Sequence, residues 1–84
     1  MILTEHAKKR MAERKIGEAT VFGLFADPKL VFSDSKKDDS LLVATGKSGT
    51  KILTAVFNPI TESVVTVRTA SKKERRAYGE HSKN

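Results

Sequence analysis

The chain has no cysteine, so it has neither a disulfide framework nor a cysteine-based metal site. Only two histidines occur, with no His-x3-His spacing. That argues against zinc and against a serine or cysteine nucleophile served by a histidine base. No apolar run approaches the ~20 residues of a membrane span. Met1-Ile2-Leu3 runs at once into Glu5 and Lys8, so there is no signal-peptide hydrophobic region. Asp38-Asp39 lacks the glycine-containing spacing of a calcium loop and reads as a solvated turn. A cytoplasmic protein with no metal, cofactor or membrane association is expected, as a monomer or small homo-oligomer.

What is present is positive charge at both ends. The 84 residues carry a formal net charge of +6 and fit one domain, 1–84. Residues 1–16 hold five basic and two acidic side chains. Residues 17–67 hold five and six, and residues 68–84 hold six and two. If the fold brings the two ends together, one basic surface suited to phosphate results. If it does not, the charge serves solubility.

The stretch Val64–Tyr78 concentrates this pattern. Val64, Val65 and Val67 with Thr66 and Thr69 predict a strand. Alternation puts Val65, Val67 and Thr69 on one face, and Val64, Thr66, Arg68 and Ala70 on the other. Ser71 and Glu74 then form a capping box that opens a short helix carrying Lys72, Lys73, Arg75, Arg76 and Tyr78. Gly79 is its expected stop.

Taken in order, Thr4 caps a first helix running to about Lys15, with Leu3, Ala7 and Met11 as its apolar stripe. Arg14 falls inside that stripe, with Arg10 beside it and His6 further round. Arg10 and Arg14 either serve a site or pair with a carboxylate or carbonyl at the sheet edge. His6 is either a catalytic acid–base or a helix-edge histidine. Glu18 to Ala26 reads as a second helix, ended by Asp27-Pro28. Gly23 within it permits close packing. Four strands follow: Lys29–Ser33 at an edge, Leu41–Gly46, a central Lys51–Phe57, and the Val64 strand. Lys47-Ser48-Gly49 is a hairpin turn, and Asn58-Pro59 opens a turn that Glu62 closes. Short connections favour an antiparallel meander. The expected fold is α+β: two N-terminal helices packed on a four-stranded antiparallel sheet, with a short C-terminal basic helix.

Two stretches carry a resemblance. Residues 6–14, His-Ala-Lys-Lys-Arg-Met-Ala-Glu-Arg, resemble the opening of a widespread family of small bacterial domains of unknown function. Residues 64–78, with Arg-Thr-Ala-Ser-Lys-Lys-Glu-Arg-Arg-Ala-Tyr, resemble the close of BrnT-type toxins of toxin–antitoxin systems. Phe25-Ala26-Asp27-Pro28-Lys29-Leu30-Val31-Phe32 fits both. The resemblance implies a RelE-like ribonuclease fold and metal-free RNA cleavage, neutralised by an antitoxin. Arg68 matches the strand arginine, and Ser71, Lys72, Arg75, Arg76 and Tyr78 the basic tail. His6, Arg10 and Arg14 match the helix pattern of the first family.

Metal-free cleavage would use the ribose 2′-hydroxyl as nucleophile, with a proton acceptor, cations for the phosphorane and a proton donor. His6, Arg10, Arg68 and Tyr78 are the catalytic candidates. Arg14, Lys72, Arg75 and Arg76 are the nucleic-acid-binding candidates. The alternative is a non-catalytic basic module that binds RNA or an acidic protein partner, such as an antitoxin. The catalytic reading requires the helix bearing His6 and Arg10 to lie beside the strand end bearing Arg68.

Overall fold

The computed structural model describes residues 2–35 and 38–82. Thr4 decides the start of the chain. Its backbone is extended, and its Oγ1 accepts from the Ala7 N–H at 3.1 Å, which caps helix α1, Glu5–Arg14. Lys15 follows in the left-handed region (φ 57°), and its N–H returns to carbonyls of the last turn. Helix α2 spans Glu18–Phe25.

Because the cap at Thr4 holds what precedes it extended, Ile2–Leu3 form a strand, β1. Leu3 therefore reaches the core from a strand and not as the first member of a helical stripe. Strands β2 (Val31–Asp34), β3 (Leu42–Ser48), β4 (Lys51–Asn58) and β5 (Ser63–Thr69) follow, then helix α3, Lys72–Ser82. The sheet has five strands in the order β1-β5-β4-β3-β2, and β1 pairs parallel to β5. The expected four-stranded antiparallel sheet is thus corrected to a five-stranded mixed one. A two-residue strand too short for a periodic signal makes the difference.

Helices α1 and α2 cover one sheet face. Ala7, Met11, Val21 and Leu24 pack there on Leu53, Ala55, Val64 and Val67. Strand alternation would not put both Val64 and Val67 in the core. A bulge does so, because Phe57 pairs with Val64 while the adjacent Val56 pairs with Thr66, leaving Val65 extra. This corrects the face assignment of Val64 and Val65. Gly46 on β3 supports the helix above it. A Cβ there would stand 2.9 Å from both Leu24 Cδ1 and Leu30 Cδ1, and 3.1 Å from the Leu24 carbonyl.

The opposite face carries two cross-strand rows, Thr45–Thr54–Arg68 and Val43–Val56–Thr66. Thr45 and Thr54 are buried and share a hydrogen bond of 3.0 Å between their hydroxyls. Helix α3 lies over this face, against β3 and β2. It runs through Gly79, past the expected stop, because nothing there breaks helical geometry.

The segment before and within α1 also closes the outer edge of β5. Ile2 N–H donates to the Glu62 carbonyl at 2.9 Å, and Thr4 N–H to that of Val64 at 3.1 Å. Thr4 Oγ1 donates to the Val65 carbonyl at 3.3 Å, and Arg14 Nη1 to that of Val67 at 2.6 Å. An edge that would otherwise offer open carbonyls is covered in sequence. Among the described residues, no helix is long and apolar enough to cross a membrane.

Candidate nucleic-acid interface

The strand-to-helix junction after β5 builds a connected polar cluster. Ser71 Oγ accepts from the Glu74 N–H at 3.2 Å, and Glu74 Oε1 accepts from the Ser71 N–H at 2.8 Å. This is the expected capping box. The same carboxylate also receives Arg68, whose Nη1 and Nη2 donate to Oε1 and Oε2 at 2.5 and 2.8 Å. Burial pushes the Glu74 carboxyl up, but these hydrogen bonds and the arginine charge outweigh it. They hold Glu74 at about 2.

One turn along α3, the buried Tyr78 hydroxyl donates to Asp27 Oδ2 at 2.6 Å. Asp27 also accepts from the Lys47 N–H at 2.8 Å and the Lys29 N–H at 2.9 Å. Partial burial raises the Asp27 carboxyl, and the bonds from Tyr78, Lys47 and Lys29 bring it below its usual value. The reciprocal effect of the Asp27 bond, with burial, pushes Tyr78 up to about 12. Glu74 and Tyr78 stand four apart on the inward face of α3 and pin the helix at two points.

Beside these contacts an open groove of about 670 Å³ runs between α3 and the second sheet face. Val43, Val56 and Thr66 form its floor, and Asp34, Lys73 and the Arg68–Glu74 pair stand at its rim.

The catalytic candidates do not assemble. Helix α1 packs on the face that bears Val67, whereas Arg68 belongs to the opposite face. The sheet therefore separates His6 and Arg10 from Arg68 and Tyr78. His6 is exposed, as a helix-edge histidine would be. Arg10 pairs with Glu13 at 3.2 Å, and Arg14 reaches the Val67 carbonyl, both partners of the structural kind. Arg68 spends its end-on fork on Glu74, so those donors are not turned to a phosphate. Tyr78 is buried and committed to Asp27, so it offers no ring face for a base.

The binding candidates on α3 fare differently. Lys72 and Arg76, one turn apart, lie on the side away from Glu74 and Tyr78, Arg75 lies at the border of that side, and all three are exposed. None has an ion-pair partner among the described residues.

Sequence reasoning missed the bonds of Asp27 to Lys47 and Tyr78, and that of Glu74 to Arg68. Asp27 was legible as a local turn residue, since its carboxylate accepts from the N–H two residues on. Its bonds to Lys47 and Tyr78 had no local signal. Asp38 likewise closes a turn, accepting from the Ser40 N–H at 2.9 Å and Oγ at 2.7 Å. Among the described residues no group of three or more histidine, aspartate or glutamate side chains gathers to hold a metal.

A family model described as a domain of unknown function (DUF4258) matches residues 3–71, and the chain belongs to that family. No curated protein and no solved structure matches the chain. The matched span runs from Leu3 of β1 through α1, α2 and β2 to β5, and stops before the cations of α3.

Proposed function

We propose that the domain binds RNA without cleaving it, through the outward side of α3. The observation that carries this reading is the division of α3 into two faces. Glu74 and Tyr78 fix the inward face to Arg68 and Asp27, while Lys72, Arg75 and Arg76 stay exposed with no acidic partner among the described residues. A helix pinned in this way holds its cations in place before any ligand arrives, which lowers the cost of binding. The reading is preferred to metal-independent cleavage of a toxin-like kind, because His6 lies across the sheet from Arg68 and Tyr78.

The test is the affinity for single-stranded RNA, by fluorescence anisotropy, as a function of salt. Each phosphate contact contributes about 0.7 to the logarithmic slope on a single strand. Replacing both Arg75 and Arg76 by Gln is expected to flatten the slope by about 1.4 and to weaken all sequences alike. An unchanged slope would remove α3 from RNA binding and favour an acidic protein partner for that helix. Release of RNA fragments in EDTA by the wild-type protein would restore the toxin-like reading.

A further inference from the structure

A second, smaller cavity lies at the far end of β4 and β5, apart from the groove beneath α3. Its volume is about 270 Å³, and Thr50, Lys51, Ile52, Thr69 and Arg75 line it. The topology explains the gathering. Gly49 turns the β3–β4 hairpin with φ +63°, which places Thr50 and Lys51 at the start of β4. Leu53 pairs with Thr69, so the end of β5 meets that start. Ala70 N–H prolongs the ladder by donating to the Ile52 carbonyl at 3.1 Å, and Arg75 follows in the first turn of α3.

The two cavities differ in chemistry. The larger groove is rimmed by the carboxylates of Asp34 and Glu74. The smaller cleft is lined by one ammonium, one guanidinium and two hydroxyls, with no carboxylate. Neither Lys51 nor Arg75 has an ion-pair partner among the described residues. A third cation lies close in the chain: Arg14 is anchored to the carbonyl of Val67, two residues before Thr69. Arg14 itself is not among the residues that line the cleft.

We infer that this cleft is a phosphate subsite. It takes one phosphodiester group of a bound RNA strand, with Lys51 and Arg75 supplying charge and Thr50 and Thr69 supplying hydroxyl donors. This inference rests on the RNA-binding reading for the source of the phosphate, and on the cleft's own lining for its chemistry. A guanidinium and an ammonium beside two hydroxyls match the oxygen-rich, singly charged diester. A free phosphate would present the same oxygens, so two probes are needed.

The experiment is a titration of the full chain followed by amide NMR, first with inorganic phosphate against chloride of equal ionic strength, then with a single-stranded uridine hexanucleotide. Lys51→Gln and Thr69→Val are compared with Lys9→Gln, an exposed cation on α1. The expected result is saturable shifts at Thr50, Lys51, Thr69 and Arg75 with both probes, lost in Lys51→Gln and kept in Lys9→Gln. The salt slope for the hexanucleotide should fall by about 0.7 in Lys51→Gln, the value of one contact. Hexanucleotide binding with the same slope in Lys51→Gln would overturn the subsite and leave RNA binding standing. Phosphate shifts confined to the cleft, with no response to the hexanucleotide, would uphold the anion site and overturn the RNA reading. No saturable response to either probe would overturn both.

Discussion

Arg68 and Glu74 meet end to end, with each terminal nitrogen of the guanidinium on a separate carboxylate oxygen. Only six residues separate them, and the turn at Ser71 folds the second back onto the first. The pair therefore ties the last strand to the helix that follows. Arg68→Ala should detach the first turn of α3 from the sheet while leaving the Ser71 capping bonds in place. With the arginine side chain 38% exposed, solvent screening limits the loss to about 0.5–1 kcal/mol. Urea unfolding should show a lower midpoint with an unchanged slope. A midpoint equal to the wild type would mean that the pair contributes nothing to stability.

The same pair gives the fold an acid limit. The folded-state value of Glu74 is about 2, below its ordinary value in an unfolded chain. Its contribution is then complete above about pH 4.5 and is lost as pH falls towards 2. Thermal unfolding between pH 6 and 2 should show a falling midpoint. In Glu74→Gln, which cannot titrate, that fall should be shallower. Parallel curves for the two proteins would remove Glu74 as its source.

Tyr78 is the single tyrosine of a chain without tryptophan, so its ionisation can be followed by ultraviolet absorbance alone. Its folded-state value is raised to about 12. The Asp27 contact therefore stabilises the fold below about pH 10 and fades as pH rises through 12. Absorbance should show ionisation near 12 in the folded protein. Tyr78→Phe keeps the ring and deletes the bond to Asp27, at a cost of about 1 kcal/mol by denaturant unfolding. Ionisation near 10 in the native protein would contradict this arrangement.

Gly46→Ala tests the packing of α2 on the sheet. The added methyl meets two leucine tips and a backbone carbonyl, and the carbonyl cannot rotate aside. A loss of about 1–3 kcal/mol is expected from overpacking. Gly79→Ala, where a Cβ meets nothing, should be neutral or stabilising within the helix. The ratio of the two denaturation midpoints separates steric cost from the general effect of adding a methyl.

Local chemistry was readable wherever one stretch of chain held all of it. The Thr4 cap, the Ser71–Glu74 box and the central place of β4 follow from short-range pattern. The bulge at Val65 did not, because it is a property of two strands in register and not of one. Nor did β1, whose two residues hold no period. The candidate site divided in the same way. The cations of α3 were legible as four in the five residues 72–76. The separation of His6 from Arg68 depends on which sheet face each occupies, and the inversion of face around the bulge is invisible to alternation. Asp27 joins three segments far apart in sequence, so no local reading could assign it that role. Lys51 and Thr69 meet only because a hairpin and a ladder bring them together.

The parallel pairing of β1 with β5 has a consequence for the order in which the native state can be reached. Residues 2–14 leave the ribosome well before their partners, Glu62 to Val67. The β2–β5 meander can pair strand by strand through short loops, at low closure entropy. Strand β1 and helix α1 must wait until β5 is in place, and their docking closes a loop of about sixty residues. Substitutions at Thr4 and Arg14 are expected to accelerate unfolding more than they slow folding, the behaviour of late-forming contacts, and a chevron plot of either variant checks it. Until that docking the Val64–Val67 stretch stands without its outer neighbour. Association between nascent chains is then set by how quickly residues 2–14 return to β5.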